Sequence, residues 1–400
     1  MTVLVADTIA QVGIDALERA GHEAIVRPGL SGDALPEALS EYAPQALVVR
    51  STRVPAEALD ASPPLGLVVR AGAGYDTIDV RGASERGIFV ANCPGKNSVA
   101  VAELTMGLIL ALDRRIADNV AEARAGRWNK KKYARAEGLK GRRLGVVGVG
   151  SIGTAVIERA KAFDMNVIAW SRSLTPDAAE RLGVGRRGDP REVAADADVV
   201  TLHVAATPDT ERLADRAFFE AMPEGAVFVN TSRASVVDEA ALAWAVDAKN
   251  LRVGLDVVAG EPAQKEADFE HPLARHPNVY VTHHIGASTQ QAQNATAEEA
   301  ARVVNTYDET GAVPNCVNLA KQTPATHQIT VRHRDKVGVL AAVLDEMRGA
   351  GWNIQEMDNL IFEGAQAASA GIRFDGEMDE AVIKRIEALD DVFAVTLIEL

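Results

Sequence analysis

The stretch that decides the fold is RRLGVVGVGSIGTA, residues 142–155. A short apolar run, Arg143–Val147, leads directly into Gly148-Val-Gly150-Ser-Ile-Gly153, and a helical pattern follows. Glycines at this spacing allow a tight turn, a close approach of the backbone to a pyrophosphate, and close helix–strand packing. A helix that begins here offers free N–H groups and its positive dipole end to phosphates. The stretch therefore predicts a strand, a dinucleotide-binding turn and a helix, with an ordinary strand-to-helix turn as the alternative.

Short apolar runs alternate with helical patterns on both sides of this turn. The runs that precede it are Val3–Ala6, Ala24–Arg27, Ala46–Arg50, Leu67–Arg70 and Ile88–Asn92. The second series comprises Arg143–Val147, Asn166–Ser171, Asp198–Val204, Ala226–Asn230, Val253–Val257 and Val279–Thr282. Alternation of strands and helices is typical of parallel crossovers. The fold class is therefore α/β, with two doubly wound parallel-sheet domains.

The glycine turn begins only near residue 148, so the nucleotide-binding domain is predicted to be inserted into another domain. Residues 1–97 and 288–316 are expected to form that outer domain, and 98–287 the insert. A long apolar helix, about 98–118, opens the insert, and a helix at about 289–310 should run back to the first domain. Residues 314–326 are predicted to be a linker. The last segment, 327–400, has the pattern of a third, βαββαβ domain.

Composition excludes several classes of function. The formal net charge is −14, which argues against nucleic-acid binding. The longest apolar stretch, Val99–Leu112, is interrupted by Glu103 and is too short to span a membrane. The two cysteines, Cys93 and Cys316, are typical of a reduced, cytoplasmic protein, and the N-terminus looks like a strand rather than a signal peptide. We expect a soluble cytoplasmic protein that acts on a small molecule, with no metal site.

Three polar residues follow the glycine turn in an order that suits hydride chemistry on a 2-hydroxy acid. They are Arg233 in VNTSRASVVDEAAL, Glu261 in GLDVVAGEPA and His284 in YVTHHIGAST. A histidine can move the hydroxyl proton, a carboxylate can hold and tune the imidazole, and a planar guanidinium can grip a carboxylate. Taken singly, each residue is more simply explained as a surface or strand-end residue. His283 is an alternative to His284 as the residue that moves the proton. Their combination after a dinucleotide turn favours the catalytic interpretation.

The end of the second strand of the insert bears on whether the cofactor is NAD or NADP. An acid that binds the ribose is expected about twenty residues after the turn, and none is present. The strand ends in Ser171 and Arg172, which could accept a 2′-phosphate and would then favour NADP. Alternatively, Arg172 stacks on adenine and NAD remains preferred. NAD is the expected cofactor, with NADP left open.

Together these segments resemble the D-2-hydroxyacid dehydrogenase family, and within it the phosphoglycerate branch that carries a C-terminal ACT domain. The resemblance implies that Arg233, Glu261 and His284 are the catalytic residues and that Asp256 binds the nicotinamide carboxamide. It implies a flavodoxin-like substrate domain around an inserted Rossmann domain. The implied dinucleotide contacts are Gly148, Gly150, Ser151, Ile152, Gly153, Ser171, Arg172, His203, Val204, Ala205, Thr207, Thr231, Ser232, Asp256 and His284.

The segments that resemble the family's substrate-binding segments lie in the first domain and in one basic stretch. Segments around Arg50-Ser51, Arg70–Gly74 and Asn97 are similar to the family's substrate loops, and Arg127–Lys130 is similar to a stretch of the phosphoglycerate branch. Gly74 and Asn97 are among the implied substrate contacts. A substrate with a carboxylate and a phosphate needs two separate cationic contacts. Arg233 is expected to take the carboxylate. Arg50 and one lysine, Lys130, Lys131 or Lys132, are expected to take the phosphate, although a lysine run is also typical of a solvated helix.

The C-terminal segment resembles an ACT domain, a small-molecule sensor that often pairs its sheet edge with another subunit. His333, Asp335 and Asn353 fall in regions similar to the serine-binding loops of feedback-inhibited relatives. Asp335 stands where the family has an amide, and its carboxylate would repel that of an amino acid. Because these regions are similar to serine-binding loops, L-serine is the first candidate effector. A purely oligomerising domain is the alternative. The resemblance implies a homodimer or homotetramer.

Three functions remain open from the sequence. The first is NAD-dependent oxidation of 3-phospho-D-glycerate to 3-phosphohydroxypyruvate, the entry to L-serine biosynthesis. The second is reduction of hydroxypyruvate or glyoxylate by the same machinery, without a phosphate requirement. The third is a dinucleotide-sensing binding protein of the corepressor kind, which shares the fold. The acid–base residues do not exclude the third, but the sensor domain and the lysines expected at the phosphate favour the first.

Overall fold

The structure is a computed structural model that describes residues 1–262 and 266–400 of the chain. Its contacts divide the chain into two compact units, Met1–Asn318 and Leu319–Leu400. The first unit contains two parallel sheets, and the second contains one antiparallel sheet. The predicted fold class is therefore confirmed. The finer boundaries predicted within the first unit, after residues 97 and 287, stay predictions.

The first sheet has five parallel strands in the order β2-β1-β3-β4-β5. Its elements are β1 (Thr2–Val5), α1 (Gln11–Arg19), β2 (Glu23–Val26), α2 (Ala34–Tyr42), β3 (Ala46–Val49), α3 (Ala56–Leu59), β4 (Leu67–Arg70), α4 (Val80–Glu85) and β5 (Phe89–Asn92). This order is that of flavodoxin-like doubly wound sheets. Every residue of β3 is buried, because helices cover both faces of a parallel sheet and leave its central strands no polar side.

Helix α5 (Ser98–Arg114) carries the chain from the first sheet to the second. Its apolar face packs against α8 (Ser151–Ala162), the helix after the glycine turn, in one cluster with strand residues of the second sheet. The helix was expected to continue to residue 118, but Arg115 takes up a left-handed conformation with φ of 50° and ends it. The N–H of Arg115 donates to the carbonyl of Ala111, which closes the last turn. Two short helices follow, α6 (Ile116–Arg124) and α7 (Lys130–Tyr133).

The second sheet has seven parallel strands in the order β12-β11-β10-β9-β6-β7-β8. Its elements are β6 (Arg143–Val147), α8 (Ser151–Ala162), β7 (Asn166–Trp170), α9 (Pro176–Leu182), β8 (Gly185–Arg186), α10 (Pro190–Asp196), β9 (Val199–Leu202), α11 (Arg216–Ala221), β10 (Val227–Asn230), α12 (Glu239–Ala248), β11 (Arg252–Leu255) and β12 (Val279–Val281). The strand order reverses between β6 and β9. That switch point is where open α/β sheets bind ligands, at the carboxyl ends of the strands.

Helix α13 (Gln290–Thr310) returns to the first sheet, as expected, and packs on α1. The two helices approach closely at Gly13, where an added Cβ would lie 2.7 Å from the Cβ of Ala297. A larger residue at position 13 would therefore push the helices apart. Thr289 caps the helix, because its side chain accepts a hydrogen bond from the N–H of Ala292.

The start of the predicted linker is part of the first sheet's edge, so the prediction for residues 315–318 is wrong. Cys316 forms an antiparallel bridge with Ala91, and the side-chain oxygen of Asn318 accepts the N–H of Val90 at 2.8 Å. An edge strand has unpaired backbone groups that a returning segment can satisfy, and apolar periodicity in the sequence does not reveal such a pairing.

The second unit has the expected order of strands and helices. Its elements are β13 (His327–Arg334), α14 (Val339–Gly349), β14 (Asn353–Ile361), β15 (Ala367–Asp375), α15 (Glu380–Glu387) and β16 (Val392–Glu399), and the sheet order is β14-β15-β13-β16. Alternate residues of β15 are fully buried beside apolar residues of the two helices in a single core. This arrangement fits the ACT-like domain that the sequence predicts.

Candidate active site

The glycine turn joins β6 to α8 beside the ends of two neighbouring strands. The N–H of Gly148 donates to the carbonyl of Trp170 at 2.7 Å, and an added Cβ at Gly148 would lie 2.5 Å from the carbonyl oxygen of His203. Gly153 likewise has no room for a Cβ, because the carbonyl of Gly148 fills that space. Both glycines are therefore required by packing within the turn itself.

The same turn fits a pyrophosphate. Helix α8 begins at Ser151 after Gly150, and no side chain caps its first turn. The space around Gly150 is open, so that the N–H groups of Ser151, Ile152 and Gly153 remain accessible to an anion. An uncapped helix of twelve residues behind an open glycine is the arrangement that a dinucleotide needs.

The other predicted dinucleotide contacts follow the carboxyl ends of β7, β9 and β10, on the same edge of the sheet. Burial lowers the pKa of His203 to about 3, so its imidazole is neutral near pH 7. Its Nδ1 is buried and has no hydrogen-bond partner among the described residues, which leaves it available to a ligand. The hydroxyl of Thr231, in contrast, already has a partner, because it is buried and lies 3.0 Å from the hydroxyl of Thr105. The other members of this set are Ser171, Arg172, Val204, Ala205, Thr207 and Ser232.

His284 and Glu261 form a close pair. The Nδ1 atom of His284 lies 2.7 Å from Oε2 of Glu261, and the other carboxylate oxygen accepts the N–H of Val258 at 3.0 Å. The hydrogen bond to Glu261 raises the pKa of His284 above its ordinary value, against the effect of burial. Burial alone would raise the pKa of Glu261, but the bond and charge of His284 hold it below its ordinary value. The pair can therefore hold a proton on the imidazole and leave Nε2 for a substrate.

Asp256 organises the loop that carries this histidine. Its buried carboxylate accepts the hydroxyl of Thr282 at 2.6 Å and the N–H groups of Ile285 and Gly286 at 2.9 and 2.8 Å. Its carbonyl accepts the N–H of His284 at 3.0 Å. His284 sits in the left-handed region with φ of 53°, which costs energy for a residue other than glycine and is maintained here by the bond from its N–H to Asp256.

These residues share a cavity of about 870 Å³ with the predicted substrate residues. Its polar lining includes Arg50, Ser51, Asn97, Arg233, Asp256, Glu261 and His284. The Nη2 atom of Arg233 lies 3.3 Å from Oδ1 of Asp76, and Nη1 donates to the carbonyl of Ser232 at 2.8 Å. Gly74 touches this guanidinium so closely that a Cβ would overlap Nη2. The structure thus brings together the three residues predicted to be catalytic and most of the predicted substrate contacts.

Three residues of the site were given no role by the sequence interpretation, although it placed Arg70 in a segment similar to the family's substrate loops. Arg70 ends β4 and lines the cavity, and burial together with the neighbouring Arg233 lowers its pKa. Asp76 is the partner of Arg233. Asp7 follows β1, and one oxygen of its carboxylate accepts the N–H groups of residues 50, 51 and 52 at 2.6, 3.0 and 2.9 Å. For Arg70 and Asp7, a position at or just after the end of a parallel strand was the feature of the sequence that could have identified them.

The structure does not bring Lys131 and Lys132 to this cavity, contrary to the prediction. Both lie in α7, and they line a separate cavity of about 480 Å³ together with Arg135 and Arg252. Lys132 pairs with Glu122 at 2.6 Å, and this contact raises the pKa of the lysine. Within one copy of the chain, neither lysine can therefore contact a ligand bound beside Arg233.

The predicted effector residues of the second unit are also separated. His333 is opposite Ala368, which is in turn opposite Ile361 at the far end of β14, whereas Asn353 begins that strand opposite Asp375. Because Asn353 and Ile361 are eight residues apart along β14, the His333 end of the sheet is about 25 Å from Asn353. His333 is buried and contacts Asn359 at 3.3 Å, and Asp335 lies near the His333 end. The three residues do not form a single site within one copy.

Membrane-spanning helices and metal clusters are both absent from the described residues. No helix there combines the length and apolar character needed to cross a membrane. In the same part of the chain, no group of three or more histidine, cysteine, aspartate or glutamate side chains is arranged to hold a metal ion.

Comparisons with known proteins agree with the geometry. Residues 106–286 match the family described as D-isomer specific 2-hydroxyacid dehydrogenase, NAD binding domain. A D-3-phosphoglycerate dehydrogenase of Archaeoglobus fulgidus is 36% identical over 348 residues, which are 86% of this chain and 64% of the relative. One of Mycobacterium leprae is 36% identical over 371 residues, which are 91% of this chain and 68% of the relative. The chain thus spans about two thirds of the length of these curated relatives.

The solved structures show the same fold. A crystal structure of a protein from Thermus thermophilus superposes with a TM-score of 0.71 at 34% identity, covering 79% of this chain and all of that protein. The glycine turn, the imidazole–carboxylate pair and the guanidinium all lie within residues 106–286, which match the family. The chain belongs to the D-isomer specific 2-hydroxyacid dehydrogenase family.

Proposed function

We propose that this protein is an NAD-dependent dehydrogenase that oxidises 3-phospho-D-glycerate to 3-phosphohydroxypyruvate. The observation that carries the proposal is the pairing of His284 with Glu261 in one cavity with Arg233. The phosphoglycerate dehydrogenases that match most of the chain support the choice of substrate. A binding protein that only senses a dinucleotide would have no need of a tuned imidazole, so the third candidate function is disfavoured.

The protein's own residues have three roles in this reaction. Nε2 of His284 removes the proton of the C2 hydroxyl, and Glu261 stabilises the imidazolium that forms. Arg233 holds the substrate carboxylate through two parallel hydrogen bonds and so fixes C2 beside the histidine. A bound NAD supplies the acceptor for the hydride that leaves C2. The alcohol thereby becomes a ketone, and the proton remains on His284 until solvent takes it.

The phosphate of the substrate is assigned to Arg50 and Arg70. Both guanidiniums line the catalytic cavity, and Asp7 fixes the backbone that carries Arg50. Two arginines give a dianion the bidentate contacts that it prefers. Asp76 pairs with Arg233, and within the described residues neither Arg50 nor Arg70 forms a salt bridge with an acidic side chain.

The substrate assignment is tested by steady-state kinetics with 3-phospho-D-glycerate, D-glycerate and D-lactate. Arg50→Gln and Arg70→Gln should each raise KM for the phosphorylated acid by about tenfold or more, since each removes a charge-assisted contact. KM for D-glycerate should change by less than about twofold. Arg53→Gln is the control, because Arg53 is exposed in the same loop and does not line the cavity.

The second candidate, reduction of hydroxypyruvate or glyoxylate, is favoured by one observation. The two lysines expected at a substrate phosphate line another cavity. If unphosphorylated acids were turned over as efficiently as 3-phospho-D-glycerate, and the Arg50 and Arg70 variants affected both equally, this candidate would replace the first.

We also propose that the protein is a homodimer or homotetramer and that L-serine is an effector. Only a second copy could bring Lys131 and Lys132 to a catalytic cavity, or bring His333 beside Asn353, since one copy keeps both sets apart. Sedimentation should therefore find an oligomer, and calorimetry should detect L-serine binding that Asn353→Ala removes. A monomer would contradict the oligomer, and the absence of both heat and any change in rate would contradict L-serine as an effector. We place the protein in the cytoplasm, which its free cysteines support.

A further inference from the structure

An ion pair lies beside the nucleotide turn, between residues of two different loops. Arg172 follows β7, and Asp209 lies in a 3₁₀ turn, Pro208–Thr210, after β9. Nη1 of the arginine is 3.1 Å from Oδ2 of the aspartate. The two side chains are 82% and 77% exposed, so the pair contributes little to folding, and its charges are open to a ligand.

Both partners are held close to the glycine turn. Gly148 bonds the carbonyl of Trp170, two residues before Arg172, and it contacts the carbonyl of His203 on the other side. The turn that carries Asp209 is rigid, because Thr207 and Thr210 cap it reciprocally. The hydroxyl of Thr210 also donates to the carbonyl of Ala205 at 2.6 Å. The aspartate is therefore presented from a fixed backbone rather than from a loose loop.

The end of β7 is where a dinucleotide-binding sheet of this order meets the adenine ribose. β7 is the first strand after the turn and the second of its sheet in chain order. An acid at its end normally binds the ribose 2′-hydroxyl, whereas an arginine there accepts a 2′-phosphate. This chain has Ser171, Arg172 and Ser173 at that point, with no acid. Judged by this strand alone, the chain would be expected to take the phosphorylated dinucleotide.

We infer that Asp209 supplies the missing acid from the neighbouring loop and sets the preference for a dinucleotide with a free 2′-hydroxyl. Its carboxylate occupies the guanidinium that would otherwise bind a 2′-phosphate. It also places a negative charge where that phosphate would lie, and a repulsive group is an effective way to reject a competing ligand. The inference depends on the nucleotide site of the proposed function and is independent of the substrate.

The test compares dissociation constants of NAD and NADP, measured by calorimetry on the full chain without substrate. Asp209→Asn keeps the size of the side chain and removes its charge. We expect the variant to bind NADP at least about fivefold more tightly, while its affinity for NAD changes by less than about twofold. The gain should shrink in about 0.5 M salt, since exposed charges are strongly screened at high ionic strength.

Two further variants make the result specific. The double variant Asp209→Asn with Arg172→Gln should lose the gain in NADP affinity, because the guanidinium that would bind the phosphate is gone. Glu220→Gln breaks another exposed pair, with Arg216 at 2.8 Å, and should leave both constants unchanged. An unchanged NADP-to-NAD ratio in Asp209→Asn, or a gain that survives in the double variant, would overturn the inference. Failure to bind either dinucleotide would instead contradict the proposed function.

Discussion

At the scale of single residues, the pairing of His284 with Glu261 determines the pH dependence of the proposed reaction. The histidine must be neutral to accept the hydroxyl proton, so kcat/KM for oxidation should rise as pH increases through its pKa. The hydrogen bond to Glu261 raises that pKa. In Glu261→Gln the charge is lost, and the acidic limb of the pH profile should move to lower pH, with kcat reduced by about tenfold or more.

His284→Asn provides the reference for this profile. It removes the proton acceptor itself, so kcat should fall by about a hundredfold or more and the acidic limb should disappear. His283→Asn is the matched control, because His283 lines the same cavity without a hydrogen bond to Glu261. An acidic limb that stays in place in Glu261→Gln would show that the carboxylate does not tune the imidazole.

At the scale of elements, the turn between β6 and α8 allows a paired comparison of two glycines. Gly148 has φ of 99° and no space for a Cβ, so Gly148→Ala should lower the free energy of unfolding by about 1–3 kcal/mol. Gly150 has an extended conformation with φ of −90° and open space around it, so Gly150→Ala should leave stability nearly unchanged. It should still weaken NAD binding, since the new methyl group occupies the approach to the helix N-terminus. Urea unfolding and NAD titration separate the two effects.

The same element shows why much of the fold was predictable. A buried parallel strand needs a continuous apolar run, and a phosphate-binding turn needs glycines at fixed spacing, so both are visible in local sequence. The end of α5 at Arg115 leaves no signal in the apolar pattern of the sequence, and the bridge of Cys316 depends on Ala91, a residue distant in the sequence. Lys131 and Lys132 illustrate the same limit at the site, because the route of the chain after α5 decides which cavity they reach.

At the scale of the whole molecule, the proposed reaction should depend on the first unit alone. The catalytic cavity, both parallel sheets and their four apolar clusters all lie within residues 1–318. The second unit has its own core. A chain that ends at Ala320 should therefore fold, bind NAD and keep kcat within about threefold of the full chain, as expected for removal of a separate domain. It should lose any response to L-serine.

A shorter chain that ends at Pro314 tests whether the boundary is placed correctly. It lacks the bridge of Cys316 to Ala91, the bond of Asn318 to Val90, and the bond from Asn315 to the buried Glu299 at 2.8 Å. Three lost contacts at the first sheet's edge should destabilise the unit by about 2–4 kcal/mol, because each leaves a partner unsatisfied. Thermal unfolding of the two truncated chains, measured side by side, decides the matter. Equal melting temperatures would mean that residues 315–318 are a passive linker after all, as the sequence pattern alone implied.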